Sequence, residues 1–118
     1  MNPITAARLQ DHLPLKPLEL SVLLVLCEGP EYGYGIVQRI AEEDMGSIRL
    51  APSNLYYVLD RMLNAGLVEE ERQVERGDEV VRRRYWAITA LGRAVAEAEA
   101  SRLAVLVRTA ERLRLTGG

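Results

Sequence analysis

This chain predicts a mainly α fold with a small β-hairpin: a winged helix-turn-helix that runs into one long C-terminal helix. Three observations predict it. Residues 52–65 read as a helical run that breaks at Ala65-Gly66-Leu67-Val68. Two strand-like segments, 67–75 and 80–88, flank a turn at Arg76-Gly77-Asp78. From Thr89 to Leu115 the chain is rich in Ala and Leu, holds no Pro, and has only Gly92 as a helix-weakening residue. A short helix followed by a charged hairpin is how a winged helix reads in sequence, so DNA binding is the leading functional expectation.

The elements follow in order. Residues 1–15 have weak periodicity. Ile4, Ala7 and Leu9 line a short helix that Pro14 ends, and the segment reads either as a frayed tail or as an arm packed on a partner subunit. From Pro17 to Glu28 a core helix is expected. Leu18, Val22, Val25 and Leu26 keep helical spacing, and Leu20, Leu23 and Leu24 widen the face. Pro17 suits the first turn, where its missing N–H costs nothing, and Gly29-Pro30 ends the helix.

Tyr32-Gly33-Tyr34-Gly35 leads into a second helix ending at Asp44, with Ile36, Val37, Ile40 and Ala41 as its buried stripe. Residues 45–50 form a loop, with a brief strand at Ile48 to Leu50. In the third helix, Leu55, Val58, Leu59 and Met62 converge on one side. Ser53, Tyr57, Asp60 and Asn64 fall on the other, flanked by Asn54 and Arg61. Thr89 caps the last helix. That helix would be roughly 40 Å long at full extent, more than so small a domain covers. Leu103, Leu106, Ala110 and Leu113 repeat at 3-4-3 spacing, as in a coiled-coil seam. The expectation is a homodimer through this stripe; the alternative is a helix folded back on its own domain. The division is then a winged-helix unit with its N-terminal arm over 1–88 and a dimerisation helix over 89–118.

Composition bounds the chemistry. At 118 residues the chain is one globular unit. No apolar run approaches the ~20 residues of a membrane span, and Arg8 is followed by Gln10, Asp11 and His12 rather than an apolar stretch. A cytoplasmic protein without membrane contact is expected. Cys27 and His12 are the only cysteine and histidine, which excludes an internal disulfide and argues against a metal site or any other cofactor. There is no Ser-His-Asp order and no Cys–His pair, and the carboxylates fall mainly on charged outer faces, so an enzyme is not expected. Net charge is −2, a mild argument against nucleic acid. Its distribution softens the objection: residues 1–65 carry five basic and eight acidic side chains, residues 66–118 ten and nine.

A major groove admits one α-helix, and the outward side of the third helix suits it. Ser53 and Asn54 stand near the helix N-terminus, where free N–H groups favour a phosphate, and Asn pairs bidentately with adenine. Tyr57 offers a hydroxyl and a flat face, and Arg61 a guanidinium for guanine or phosphate. Each has a plainer use: helix start for Ser53 and Asn54, packing on the hairpin for Tyr57, core for Tyr56, a carboxylate partner for Arg61. Arg82, Arg83 and Arg84 alternate in direction along a strand, so two are expected to reach DNA and one to pair with the glutamates at 69–71; the plainer reading is a solvated charged strand. Lys16, Tyr34 and Gln38 are further candidates for backbone contact.

These residues resemble the PadR family of bacterial transcriptional regulators over roughly Leu18 to Gly92. The matching pieces are Leu26-Cys27-Glu28-Gly29-Pro30, Tyr32-Gly33-Tyr34-Gly35-Ile36, Pro52-Ser53-Asn54-Leu55-Tyr56, Leu59-x-Arg61-Met62, Ala65-Gly66-Leu67-Val68, Arg83-Arg84-Tyr85-Trp86-x-Ile88-Thr89 and Leu91-Gly92-Arg93. The resemblance implies a homodimeric repressor with a single C-terminal helix. It implies DNA contacts at Ser53, Asn54, Tyr56, Tyr34, Gln38 and the wing arginines. It also implies release by a small effector such as a phenolic compound or hydrophobic drug. Three departures stand out. Tyr57 replaces a common proline, the wing tip is acidic, and the last helix has no aromatic residue. An effector would therefore meet Leu103, Leu106 or Trp86. The competing functional readings are a winged helix used for protein interaction and a ligand-sensing adaptor without its own operator.

Overall fold

The computed structural model describes residues 9–43, 52–75 and 81–116, with backbone alone at 52, 53, 72–75 and 81–83. Its elements run α1 (Pro17–Leu26), β1 (Glu31–Tyr32), α2 (Gly33–Glu42), α3 (Pro52–Asn64), β2 (Val68–Glu75), β3 (Val81–Ile88) and α4 (Ala90–Arg112). The architecture is mainly helical with a small antiparallel sheet, as expected. Ile4, Ala7, the loop with its brief strand at 48–50, and the turn at 76–78 lie outside the described residues.

Helix α1 is the core element. Pro17 opens it, and Glu19 at the third position accepts from the Lys16 amide at 2.8 Å, satisfying a helix-start N–H. Val22, Leu23, Val25 and Leu26 have almost no exposed surface, while Leu24, expected in the face, is 43 % exposed. Cys27 caps the end and is half-buried. Gly29 follows at φ +140°, a conformation that favours glycine and turns the chain away. On α2, Ile36 and Ile40 are buried and Val37 half-buried, but Ala41 is exposed because the helix stops at Glu42. On α3 all four expected core residues, Leu55, Val58, Leu59 and Met62, are buried.

The sheet has three strands, ordered β1-β3-β2, all antiparallel. The hairpin pairs Val68 with Ile88 through Glu75 with Val81. The third strand was not expected. Glu31 and Tyr32 pair with Trp86 and Tyr85, so the segment before α2 closes the free edge of β3. Trp86 at the centre is fully buried against the helices.

Helix α4 starts from a side-chain cap: Thr89 Oγ1 accepts from the Gly92 amide at 2.9 Å and donates to the Gly66 carbonyl at 2.6 Å. It ends at Arg112, with Arg114 in the left-handed region at φ 58°. Only its first part belongs to the core. Gly92, Val95, Ala96 and Glu99 are buried, and no later described residue is.

Two carboxylates correct the sequence expectation that such groups sit on outer faces. Glu19 is 8 % and Glu99 1 % exposed. Glu99 occupies the buried stripe of α4, seven residues after Gly92 and four after Val95. Its charge is met there: Oε2 accepts from the Leu15 amide at 3.0 Å, and Arg102 makes two hydrogen bonds at 2.6 and 2.9 Å. Among the described residues no helix is long and apolar enough to cross a membrane, and no cluster of His, Cys, Asp and Glu is placed to hold a metal.

Candidate nucleic-acid interface

The outward side of α3 is open. Tyr57 is 65 % exposed and Tyr56 44 %, and Asn54, Asp60 and Asn64 are exposed beside them. This follows from the amphipathic run itself: the apolar stripe anchors four residues in the core, so residues about half a turn away face solvent. The Ser53 side chain lies outside the described part of the structure; its backbone opens α3 beside Pro52.

Neither tyrosine is a core residue, and each has a neighbour that orients it. The Tyr56 ring lies over the start of α2, where a Cβ on Gly33 would come within 2.7 Å of the Tyr56 hydroxyl. A side chain at 33 would therefore push the half-exposed Tyr56 ring from its place. Arg61 stands 5.9 Å from the Tyr57 ring centroid, within cation–π range. On α2, Tyr34 is 61 % exposed and Gln38 is exposed one turn later. Tyr34 also sits 6.4 Å from the Tyr32 ring, which packs in turn on Tyr85 at 5.6 Å. Exposed Tyr34, Gln38, Asn54, Tyr56 and Tyr57 thus belong to the paired α2–α3 unit, which meets along the Gly33–Tyr56 contact.

The cations are less free than the sequence implied. Of the two readings of Arg61, the structure contains the carboxylate pair: Nη2 lies 3.1 Å from Glu19 Oε2 on α1. That pair lines a groove of about 420 Å³ between residues 11–16 and the end of α3, which His12, Lys16 and Asn64 also border. Lys16 is exposed at the foot of α1. Arg84, the wing arginine whose side chain is described, pairs with a glutamate. Its Nε and Nη2 donate to Glu70 at 2.9 and 3.2 Å, and its guanidinium lies 4.8 Å over the Trp86 ring. Glu70 accordingly holds Arg84 even more firmly protonated. The side chains of Arg82 and Arg83 lie outside the described part of the structure. Their backbones pair with Val74 and Gln73 toward the hairpin tip.

Of the residues considered for an effector, Trp86 has no exposed surface, so it serves packing in this conformation. Leu103 is half-buried and Leu106 is 53 % exposed. Sequence reasoning missed Glu19 and Glu99, the two carboxylates that tie α1 to Arg61 and α4 to Leu15. Helical spacing would have found Glu99, which shares the stripe of Val95.

Residues 22–98 match the model of the transcriptional regulator PadR-like family. The chain belongs to this family. Among curated proteins none matches it by sequence. Solved structures do. A PadR family transcription regulator from Clostridium difficile R20291 superposes with TM-score 0.72 at 20 % identity, over 83 % of this chain and 98 % of that one. A PadR family regulator from Eggerthella lenta has TM-score 0.62 at 27 % identity, over 95 % and 100 %. Bacillus subtilis PadR, in a structure containing operator DNA, has TM-score 0.61 at 19 % identity, over 72 % of this chain and 46 % of that one. This PadR-like chain is thus a transcriptional regulator by family, with the fold of its relatives.

The buried carboxylate of α4 yields a pH prediction. Arg102 holds the Glu99 carboxyl below its usual value of 4.5, with the Leu15 amide helping and desolvation opposing. An acid whose pKa falls on folding stabilises the fold above its unfolded-state value, and that contribution is lost as pH drops through the folded-state value. Glu99→Gln should therefore lower urea stability near neutral pH by about 1–3 kcal/mol, and the deficit should shrink below about pH 4. Equal deficits at both pH values would show that the charge contributes nothing.

Proposed function

We propose that the chain is a sequence-specific DNA-binding homodimer, a repressor that occupies an operator and is released by a small hydrophobic effector. The observation that carries this reading is the open α3 side, where Asn54, Tyr56 and Tyr57 stand exposed on a helix anchored by four buried residues. Asn54 supplies the bidentate donor–acceptor pair that adenine recognises, and the tyrosines supply flat apolar area with a polar tip. Tyr34 and Gln38 on the adjoining helix suit sugar–phosphate contact, which positions without reading sequence.

The dimer reading rests on α4. Past Glu99 the helix leaves the body, and Val105, Leu106 and Val107 are each about half exposed, with Leu113 54 % exposed. Exposed apolar side chains grouped on one helix mark an association surface. Leu103, Leu106 and Ala110 keep the expected 3-4 spacing along α4, and Leu113, the fourth expected seam residue, stands just past the helix end as its C-cap. Two α3 helices would then address half-sites about one helical turn apart. An effector would bind among Leu103, Leu106 and their copies and favour a protomer angle that no longer fits both half-sites.

A gel shift with random duplex DNA at about 20 mM salt is the first test, because non-specific binding is strongest there. A shift that weakens steeply with salt is expected. Its absence would favour a protein-interaction module, the reading to which the Glu70-neutralised Arg84 lends weight. Selection of bound genomic fragments comes next; an adaptor without its own operator would enrich nothing. Replacing Arg83 and Arg84 together with Ala should weaken binding to every sequence and flatten the salt slope by about 1 for each phosphate that the variant no longer neutralises. An unchanged slope would remove the wing from the interface.

A further inference from the structure

Helix α4 leaves the body at one residue. Glu99 is its last buried position, and every described residue beyond it is exposed or half-exposed. Glu99 is also the only buried position of α4 that carries a charge. Its carboxylate reaches across 84 residues of sequence to the Leu15 amide at 3.0 Å, on the segment that leads into α1. Arg102, one turn further along the emerging helix, grips both carboxylate oxygens.

The same short segment carries a second link. The Lys16 amide donates to Glu19 Oε1 at 2.8 Å, and Glu19 Oε2 lies 3.1 Å from Arg61 on α3. Residues 15–19 therefore stand between the emerging α4 and the outward-facing α3, bonded to each through a buried carboxylate.

From this juxtaposition we infer that Glu99 is a positioning residue: its bond to the Leu15 amide sets the direction in which α4 leaves the winged-helix body relative to α3. The physical ground is leverage. A helix held only by apolar contacts at one end slides and tilts with little penalty, because such contacts are non-directional. A buried charged hydrogen bond is directional, and breaking it strips the Leu15 amide of its acceptor in the interior and leaves the carboxylate with Arg102 alone. Placed at the exit point, one such bond governs the angle of all the helix beyond it. In the operator-binding dimer proposed above, that angle fixes the separation of the two α3 helices and hence the half-site spacing. This consequence rests on the dimer reading; the angle within one chain does not.

The test separates the two. Cysteines placed at Asp60 on α3 and Arg108 on α4, in a Cys27→Ser background, carry spin labels, and the labelled chain is diluted with unlabelled protein. The distance distribution within one chain is read without DNA. Glu99→Gln retains an acceptor for the Leu15 amide and is expected to keep the narrow distribution of the parent. Glu99→Leu, similar in volume but with no acceptor, is expected to broaden or shift it while the winged-helix body stays folded by circular dichroism. A folded Glu99→Leu chain with the parent's distance and width would overturn the inference. Should that variant not fold, Glu99→Ala serves instead, since it removes the acceptor without placing a branched side chain in the buried stripe: a broadened distribution supports the inference, an unchanged one overturns it. On DNA, preference among synthetic sites whose half-site spacing differs by one base pair should fall at least about fivefold in Glu99→Leu and be retained in Glu99→Gln. Loss of overall affinity with spacing preference intact would assign Glu99 a stability role only.

Discussion

In the dimer proposed above, Leu106→Asp should break the association and leave monomers that no longer hold a palindromic site. Leu106 is 53 % exposed in the single chain and lies between Val105 and Val107, which are exposed to a similar degree. It follows Leu103 by three residues and precedes Ala110 by four, the spacing of a coiled-coil seam. In a two-fold dimer the substitution would place two carboxylates near one another in a desolvated strip, each without a partner. An uncompensated buried charge costs about 3–5 kcal/mol, which weakens association by more than about a hundredfold. Sedimentation at micromolar concentration should find single chains with an unaltered circular dichroism spectrum, since the position lies beyond the core. Operator affinity should fall because the two half-sites are then bound independently. A Leu106→Asp chain that still sediments as a dimer would move the seam to another face of α4.

Gly92→Ala should be the most damaging single-atom change in the fold. Gly92 is buried in the first turn of α4, where its Cα rests against the Leu67 carbonyl. A Cβ there would collide with that oxygen and come within 3.0 Å of Ile88 Cγ1. The carbonyl cannot withdraw freely, because it also accepts from the Thr89 amide at 3.1 Å. Alanine would gain up to about 1 kcal/mol of helix propensity over glycine. Overpacking against fixed backbone costs about 1–3 kcal/mol or more, and here the loss should dominate. A net loss of about 2 kcal/mol, or a Tm lower by roughly 10 °C, is expected from thermal unfolding followed by circular dichroism. An unchanged or higher Tm would mean that the first turn of α4 gives way at no cost.

The helices were legible because each carries its own period. Leu55, Val58, Leu59 and Met62 repeat at helical spacing, and all four are buried. Gly29, Gly66 and Thr89 mark ends or starts through local backbone conformation or a local cap. The hairpin was legible for a different reason: β2 alternates only imperfectly, but two strand-like segments near in sequence flank Arg76-Gly77-Asp78. Strand β1 was not, because two residues, Glu31 and Tyr32, hold no period and become a strand only by pairing with residues more than fifty positions away. The outer face of α3 was readable as the complement of its apolar stripe. The pairing of the cations was not. Arg61 reads either as a DNA contact or as a carboxylate's partner until α1 supplies Glu19, and the arginine that Glu70 neutralises is selected by strand register.

The amino-acid order by itself determined which segments are helix, which are hairpin, and which side of each turns inward, because these depend on neighbours within a turn or a pleat. Only the tertiary structure decided where the carboxylates of Glu19 and Glu99 are satisfied and how α4 departs from the body. A buried charge is stable only beside partners, and here the Leu15 amide comes from the opposite end of the chain.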